Sequence, residues 1–464
     1  MADFKEGFIA GILGVNDPIG CLRWAVTRIR KGDKMKKHNL LISVVMVLLI
    51  FLVYEPWVPQ SLGQRVPKVV KIGAIYPITG SLSQTGMQFV QAAKVVQDLI
   101  NKRYDIDSPG NIFRSEGLPN LGGAKIEVIF GDSESKPDVG RAQAERLIEL
   151  EKVVALIGSY QSSVTEPVSA AAEAKGIPFL CDSASAPSLT ERGFKWFFRT
   201  NLTDASNVEG SYLFLQEMKK NKPDLKLEKI AVVCEDTRWG QDVGRLVREQ
   251  AQKFGHKIIL DVAYPHEATD VEAEGLRIKK ENPDIIWMAS YLSDAVLFHK
   301  TFKKYDVTAA IIANPAGHAR KEFVDSLGSD ANGVIASQLW SDALIKTNKM
   351  AAIFTDLVKK RFGEGAAVGE LPARGYIGML TLVDAINRAG STDPNAIRQA
   401  LLKTDIPGNL LPLPWRGVKF DEKHQNKYGG VIMVQWLDQR MRVIWPKDVA
   451  ETEPILPLPP WSKR

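Results

Sequence analysis

Residues 157–178 of this chain read IGSYQSSVTEPVSAAAEAKGIP, and this stretch contains the local pattern that indicates the type of fold. An apolar run, VVALIG from Val153, ends at Gly158, and a pattern with helical spacing follows it. Between the two lie four small hydroxyl residues within seven positions: Ser159, Ser162, Ser163 and Thr165. Ser and Thr are common helix N-caps, so one of them is expected there for structural reasons alone. The alternative is that several hydroxyl donors face a ligand.

The rest of the chain repeats this change from a buried strand to a helix. Strand-like segments start at residues 69, 125, 153 and 178 in a first series, and at residues 229, 257, 284 and 309 in a second. Helix-like segments follow them, at residues 87–101, 138–150, 165–175, 240–254, 270–281, 295–305 and 376–389. Strands that alternate with helices over short connections indicate an α/β fold with parallel sheets. Two such series, joined near residues 198–201, predict two similarly built lobes.

Composition and motifs argue against several classes of protein. Residues 1–38 carry eight basic and four acidic residues, which is +4 of the formal net charge of +6. The remainder is nearly neutral, so the chain is not predicted to bind nucleic acid. The cysteines show no metal or redox spacing, and we expect Cys181 and Cys234 to be buried free thiols. The sequence contains no phosphate-loop, dinucleotide, zinc-protease or serine-hydrolase motif, so we predict no enzyme activity, no cofactor and no metal.

The N-terminal region is typical of export. Residues 40–54 read LLISVVMVLLIFLVY, fifteen residues without a charge, and MKKH from Met35 precedes them. This run is short for a membrane span, which needs about 20 residues, and its basic start resembles that of a signal peptide. We therefore interpret residues 35–63 as a signal peptide or a short membrane anchor, and residues 1–34 as a possible mis-called N-terminal extension. The protein is predicted to be periplasmic or extracytoplasmic, either free after cleavage or tethered to the membrane by residues 40–54.

Polar residues follow the ends of several predicted strands. In the first series they lie at residues 79–86, 160–163 and 183–187, and in the second at residues 236–240 and 290–294. Ligands of open α/β sheets bind beyond the carboxyl ends of the strands. Hydroxyls and free N–H groups at a helix N-terminus bind anions, and Trp239 and Tyr291 could form an aromatic wall. The sequence therefore predicts a site for a small, polar or anionic molecule.

Residues 69–445 resemble the leucine/isoleucine/valine-type solute-binding proteins of ABC importers, which have the type I periplasmic binding fold. The resemblance depends on KIGAIYPITGSLSQTG from Lys71, on the segment from Ile157 to Thr200, and on KIAVVCEDTRWGQDVGR from Lys229. It implies two Rossmann-like lobes with parallel sheets and a three-stranded hinge. The implied bounds are 69–200 and 341–422 for lobe 1, 203–335 and 428–445 for lobe 2, and 446–464 for a Pro-rich tail that is unstructured or lies along the surface.

The resemblance also implies what the protein does. A monomer would capture a small carboxylate-bearing or amide ligand, similar to an amino acid, between two closing lobes and deliver it to an ABC permease in the membrane. The alternative is a membrane-anchored ligand-sensing receptor module of the same fold. Nine positions are implied in ligand binding: Thr85, Tyr160, Ser162, Ser163, Ser183, Ser185, Trp239, Tyr291 and Ala316.

The implied roles differ among these positions. Ser162 would bind a ligand carboxylate with Ser183 and Ser185 beside it, and Trp239 would close over the ligand. Tyr291 would lie near the ammonium group of an amino-acid ligand.

Two positions depart from the pattern of the family. Ala316 stands where an acidic residue usually pairs the ligand ammonium, and Thr85 stands where an aromatic residue is frequent. Asp294 could replace the missing acid, although an N-cap is its simpler interpretation. His318 could contact the ligand, although a satisfied loop histidine is simpler. The departures favour a ligand other than leucine: an amide, an aromatic or short-chain carboxylic acid, or another amino acid.

Overall fold

The computed structural model describes residues 67–447 and 449–464. The predicted extension at residues 1–34 and the predicted signal or anchor at residues 35–63 lie outside the described residues. Within the described part of the chain, no helix combines the length and the apolar character that crossing a membrane requires.

The described residues form alternating strands and helices. The strands are β1 (Val69–Tyr76), β2 (Lys125–Asp132), β3 (Ala155–Gly158), β4 (Phe179–Cys181), β5 (Phe197–Arg199), β6 (Lys229–Glu235), β7 (Lys257–Tyr264), β8 (Ile285–Ala289), β9 (Ile311–Ala313), β10 (Ile335–Gln338), β11 (Asp405–Pro407), β12 (Gly417–Lys419), β13 (Ile432–Leu437) and β14 (Arg440–Trp445). The α-helices are α1 (Ser83–Asn101), α2 (Pro137–Glu149), α3 (Ser162–Lys175), α4 (Asp204–Asn221), α5 (Arg238–Phe254), α6 (Glu272–Glu281), α7 (Leu292–Lys304), α8 (Lys321–Leu327), α9 (Leu344–Thr347), α10 (Lys349–Phe362), α11 (Glu370–Ala389) and α12 (Pro394–Leu402).

Two separate sheets confirm the predicted α/β class. The first has the strand order β2-β1-β3-β4-β5, and all of its neighbours are parallel. The second has the order β14-β13-β10-β9-β8-β6-β7, with β13 antiparallel to both of its neighbours. The inner strands are nearly continuous apolar runs because helices cover both faces of a parallel sheet. For example, all four residues of β3 and all five of β8 are buried.

Three connections join the two sheets. The chain leaves the first sheet after β5, returns after β10 to form the helices α10–α12, and enters the second sheet again at β13. Arg199 at the end of β5 pairs with the third connection: its N–H donates to the His424 carbonyl at 2.9 Å, and its carbonyl accepts from the Asn426 N–H at 2.8 Å. This pairing places the first and the third connections side by side, as the predicted hinge requires.

The Pro-rich tail lies along the second sheet. The Glu451 N–H donates to the Val443 carbonyl at 2.8 Å, and the Leu458 N–H donates to the Ala310 carbonyl at 2.8 Å. Leu456 and Leu458 are buried. Their burial is what holds an otherwise irregular segment to the surface, since each apolar side chain removed from water contributes about 1.5–3 kcal/mol.

Candidate functional site

A cavity of about 50 Å³ lies at the carboxyl ends of the strands, between the two lobes. Seven of the nine predicted ligand-binding residues line it: Tyr160, Ser162, Ser183, Ser185, Trp239, Tyr291 and Ala316. Thr85 and Ser163 are not among the lining residues. The lining also includes residues that the sequence did not predict, above all Asp204, Arg320, Glu370 and Arg374.

One wall of the cavity carries the three predicted serines, Ser162, Ser183 and Ser185, which we call the serine wall. Ser162 begins α3, and the N-cap of that helix is Gln161, whose side chain caps nothing among the described residues. The Ser162 hydroxyl accepts from the Ala186 N–H at 3.3 Å. The Ser183 hydroxyl is buried and has no hydrogen-bond partner within the described chain. The serine wall therefore combines a hydroxyl at the N-terminus of α3 with two hydroxyls from the loop after β4, an arrangement that suits an anion.

A row of three aromatic rings forms a second part of the lining. The ring centroid of Trp239 lies 4.8 Å from that of Tyr291, which lies 5.4 Å from that of Tyr160. All three side chains are buried. Trp239 and Tyr291 come from the second lobe and Tyr160 from the first, so this row crosses between the lobes.

The position of Trp239 follows from the local sequence. Thr237 is the N-cap of α5, and its hydroxyl accepts from the Gly240 N–H at 3.4 Å. A Cβ at Gly240 would lie 1.9 Å from the Glu235 carbonyl oxygen, so only glycine permits this tight turn. The turn places Trp239 at the carboxyl end of β6, facing the cavity.

Two of the alternative contacts considered from the sequence are wrong. Asp294 is not the N-cap of α7, which is Tyr291, and it does not line the cavity. Its carboxylate accepts from the Glu267 N–H at 3.1 Å and lies 3.7 Å from the His266 ring nitrogen Nδ1. His318 is also away from the cavity, with Nδ1 3.2 Å from the Ile335 carbonyl oxygen. Burial lowers the pKa of His318 well below its usual value, so this imidazole is neutral.

His266 joins Asp294 and Glu235 in a buried charge cluster behind Tyr291. The Nδ1 atom of His266 lies 3.0 Å from Glu235 Oε2, and the His266 ring meets the Tyr291 ring edge-on at 5.5 Å between centroids. Burial alone would lower the pKa of His266, but the carboxylates of Asp294 and Glu235 raise it to about 10. The imidazolium therefore pairs with both carboxylates and packs against the ring that lines the cavity.

Asp204 is the first of the residues that the sequence did not reveal. It begins α4, directly after the first connection between the lobes, and its N–H donates to the Ser185 carbonyl at 2.9 Å. Burial raises the pKa of Asp204, while the neighbouring polar side chains of Ser185, Trp239 and Asn207 lower it in part. Its Oδ2 atom is buried without a hydrogen-bond partner in residues 67–447 and 449–464. The only local signal was an acidic residue at a predicted lobe connection.

Arg320, Glu370 and Arg374 form a further part of the lining, which we call the arginine wall. Glu370 and Arg374 are an ion pair on the first turns of α11, and Glu370 Oε2 also accepts from the Leu339 N–H at 2.9 Å. Arg320 lies four residues after Ala316, the position at which an acidic residue was expected. The other two were missed because the sequence predicts a helix from residue 376, whereas α11 begins at Glu370.

The two lobes also contact each other around the cavity. Arg238 of α5 donates two hydrogen bonds, each of 3.0 Å, to the carboxylate of Glu166 on α3. Ser188 of the first lobe donates from its backbone N–H to Asp242 at 3.2 Å, and Ser81 donates to Glu267. The structure therefore has the lobes in a closed arrangement.

Comparisons with known proteins agree with this geometry. A family model described as "Periplasmic binding protein" matches residues 69–440. The chain is 26% identical to Leu/Ile/Val-binding protein homolog 7 of Brucella abortus over 394 residues, which cover 84% of this chain and 94% of that protein.

Two solved structures illustrate the likeness in fold. The leucine-binding protein LivK of Thermotoga maritima aligns with a TM-score of 0.69 and 20% identity, covering 81% of this chain and 97% of that one. A solute-binding protein of an ABC transporter from Rhodopseudomonas palustris, in complex with 3,4-dihydroxybenzoic acid, aligns with a TM-score of 0.66 and 22% identity, covering 86% and 100%. The chain thus belongs to the periplasmic binding protein family, has the type I fold, and is a solute-binding protein rather than an enzyme.

Proposed function

We propose that this protein captures a small carboxylate-bearing solute between its lobes outside the cytoplasm and delivers it to an ABC importer. The observation that carries the proposal is the buried, unpartnered hydroxyl of Ser183 on the serine wall, as judged within the described residues. A buried polar group without a partner costs about 1–3 kcal/mol. An acceptor oxygen of a ligand would remove that cost, and the N-terminus of α3 favours a negatively charged one.

The relatives support a carboxylate rather than an amide. Those named above are a leucine-binding protein and a complex with 3,4-dihydroxybenzoic acid, and another solute-binding protein of Rhodopseudomonas palustris is in complex with benzoate. Their ligands differ in size and in the rest of their chemistry, but each of them has a carboxylate. Delivery to an importer is proposed because the names of such relatives place them in ABC transporters.

Closure of the lobes is the mechanism that we propose for capture. The ligand first contacts the serine wall of the first lobe, and Trp239 and Tyr291 of the second lobe then close over it. A ligand stabilises the closed state only through contacts that it gains on closure, so both sets of residues are needed. A cavity of about 50 Å³ has room for roughly three to five water molecules, which favours a short ligand.

A ligand screen on the purified full chain tests the proposal. We expect a short carboxylic acid to raise the melting temperature, because a ligand at 100 times its dissociation constant adds about 2.7 kcal/mol to the free energy of unfolding. Calorimetry on Ser183→Ala should show about 1.5–3 kcal/mol of lost binding free energy for that acid, and a smaller loss for its neutral amide.

Ser163→Ala is the matched control for that experiment. Ser163 lies in the same helix turn as Ser162 but does not line the cavity, so its loss should leave affinity unchanged. Equal losses in both variants, or equal losses for acid and amide in Ser183→Ala, would contradict the assignment of a carboxylate to the serine wall.

A further inference from the structure

Arg320 is a buried, positively charged residue of the cavity lining, and it forms no ion pair within the described residues. The residue follows β9, lines the cavity and is only 7% exposed. No carboxylate of the described residues forms a salt bridge with it, and none of its guanidinium nitrogens donates a hydrogen bond within that part of the chain. The nearest acidic residue on the arginine wall, Glu370, pairs with Arg374 instead.

Another buried arginine shows what a structural arginine looks like in this fold. Arg199 is fully buried, and its guanidinium donates to the Ala184 and Ala186 carbonyls at 3.2 and 2.7 Å and to the Thr190 hydroxyl at 3.0 Å. All of these partners are uncharged backbone or hydroxyl groups that satisfy its donors. Arg320 has no comparable set, so the fold itself does not use its donors.

The charge of Arg320 cannot be relieved by loss of a proton. An arginine side chain remains charged in proteins, and an isolated buried charge costs far more than a paired one. Burial alone would lower the pKa of Arg320, but the oxygens of Tyr160 and Glu370 outweigh that effect and raise it. Because Glu370 is paired with Arg374, the arginine wall keeps one positive charge in excess.

Arg320 and the serine wall come from different lobes, whereas Glu370 and Arg374 lie on α11, which packs against α1 of the first lobe. Arg320 belongs to the loop after β9 in the second lobe, and the Gln338 amide nitrogen donates to the carbonyl of its neighbour Ala319 at 2.8 Å. The serine wall belongs to the first lobe. The row of Trp239, Tyr291 and Tyr160 lies between them, since its three rings line the same cavity as Ser185 and Arg320.

We propose that the ligand carries two anionic groups, a carboxylate on the serine wall and a second carboxylate on the fork of Arg320. This inference rests on the proposed function, because it takes the first carboxylate from it. A guanidinium binds a carboxylate through two parallel hydrogen bonds, which matches this charge and geometry better than any neutral group does. The cavity of about 50 Å³ favours short dicarboxylates, with or without an amine.

Calorimetry on the full chain with matched pairs of ligands tests the second anionic group. The pairs are succinate with succinamate and glutamate with glutamine, which differ in charge at one end only. We expect the diacid of at least one pair to bind at least about 30-fold more tightly than its monoamide. In the complex with the monoamide, the buried guanidinium of Arg320 has no carboxylate to pair with, and the loss of one partner of such a buried charge pair weakens binding by about this factor.

Substitutions at Arg320 test whether this residue causes the preference for the diacid over the monoamide. Arg320→Gln should bring the affinities of diacid and monoamide to within a few-fold of each other, and Arg320→Lys should keep part of the preference because it keeps the charge without the fork. Arg141→Gln is the matched control, since Arg141 lies on α2 with its charge paired to Glu145 and does not line the cavity. It should behave as the unmodified chain.

The outcomes separate this inference from the proposed function. If leucine or benzoate binds and the diacids do not, or if acid and monoamide bind equally, the second anionic group is refuted while the carboxylate on the serine wall stands. A diacid preference that survives in Arg320→Gln would also refute the inference. If no carboxylate of any kind binds, both proposals fall.

Discussion

Replacing Trp239 with alanine tests whether the row of aromatic rings encloses the ligand. Trp239 is 4% exposed, and its ring lies 4.8 Å from that of Tyr291 between centroids. Tyr291 and the body of the second lobe cover part of the indole, so the ligand can cover only what faces the cavity. Trp239→Ala should therefore weaken binding by the contribution of one ring face and not of the whole side chain.

The expected magnitude follows from area. An aromatic side chain of this size buries about 150–250 Å², and we take one face as roughly a third of that area. At about 25 cal/mol per Å² the loss is roughly 1–2 kcal/mol. This corresponds to a dissociation constant about 5- to 30-fold larger.

Calorimetric titration with the best carboxylate of the screen measures this change. Trp239→Phe should recover much of the affinity, because a smaller ring still covers the ligand. Trp196→Ala is the matched control, since Trp196 does not line the cavity. The Cζ atom of Arg398 lies 5.7 Å from the centroid of the Trp196 ring. The reasoning would be refuted if Trp239→Ala kept its affinity while remaining folded, or if Trp196→Ala lost as much.

Two further predictions concern closure and pH. Glu166→Gln should change ligand affinity by less than about fivefold. The side chains of Glu166 and Arg238 are 37% and 40% exposed, and exposed ion pairs contribute only about 0.2–1 kcal/mol. A loss of affinity above tenfold in calorimetry would show that this ion pair dominates closure. The pKa of His266 is raised to about 10 against about 6.5 in the unfolded chain, so its stabilising effect is complete below pH 6.5 and decreases as pH rises toward 10. The free energy of unfolding should fall by up to about 1.4 kcal/mol per pH unit from this group between pH 7 and 9. His266→Gln should flatten that decline in denaturant titrations, and an unchanged slope would contradict the role of the cluster.

Much of the candidate site was predictable because it depends on where strands end. The apolar run before Gly158 and the hydroxyl residues after it are local in sequence, and so are the residues that follow β6 and β8. Parallel strands bring their carboxyl ends to one edge of a sheet. Seven of the nine predicted positions consequently line one cavity.

The predictions from the sequence are wrong where a side chain contacts a residue that is distant in the chain. An N-cap role for Asp294 was a reasonable prediction from a helix start, yet its carboxylate contacts His266 and the Glu267 backbone in a different loop. Thr85 is buried in α1 without reaching the cavity. No local pattern records such long-range choices, because they depend on how helices and loops pack.

The sequence by itself determined the α/β class, the two series of strands and the polar residues at strand ends, since periodicity and strand termini are local properties. Only the tertiary structure decided the charge balance of the cavity. It shows that Arg374 is paired with Glu370, that Arg199 is satisfied by carbonyls, and that Arg320 has neither kind of partner among the described residues. Burial and pairing determine whether a charged side chain is satisfied within the protein or is available to a ligand. Both depend on contacts between residues that are far apart in the chain.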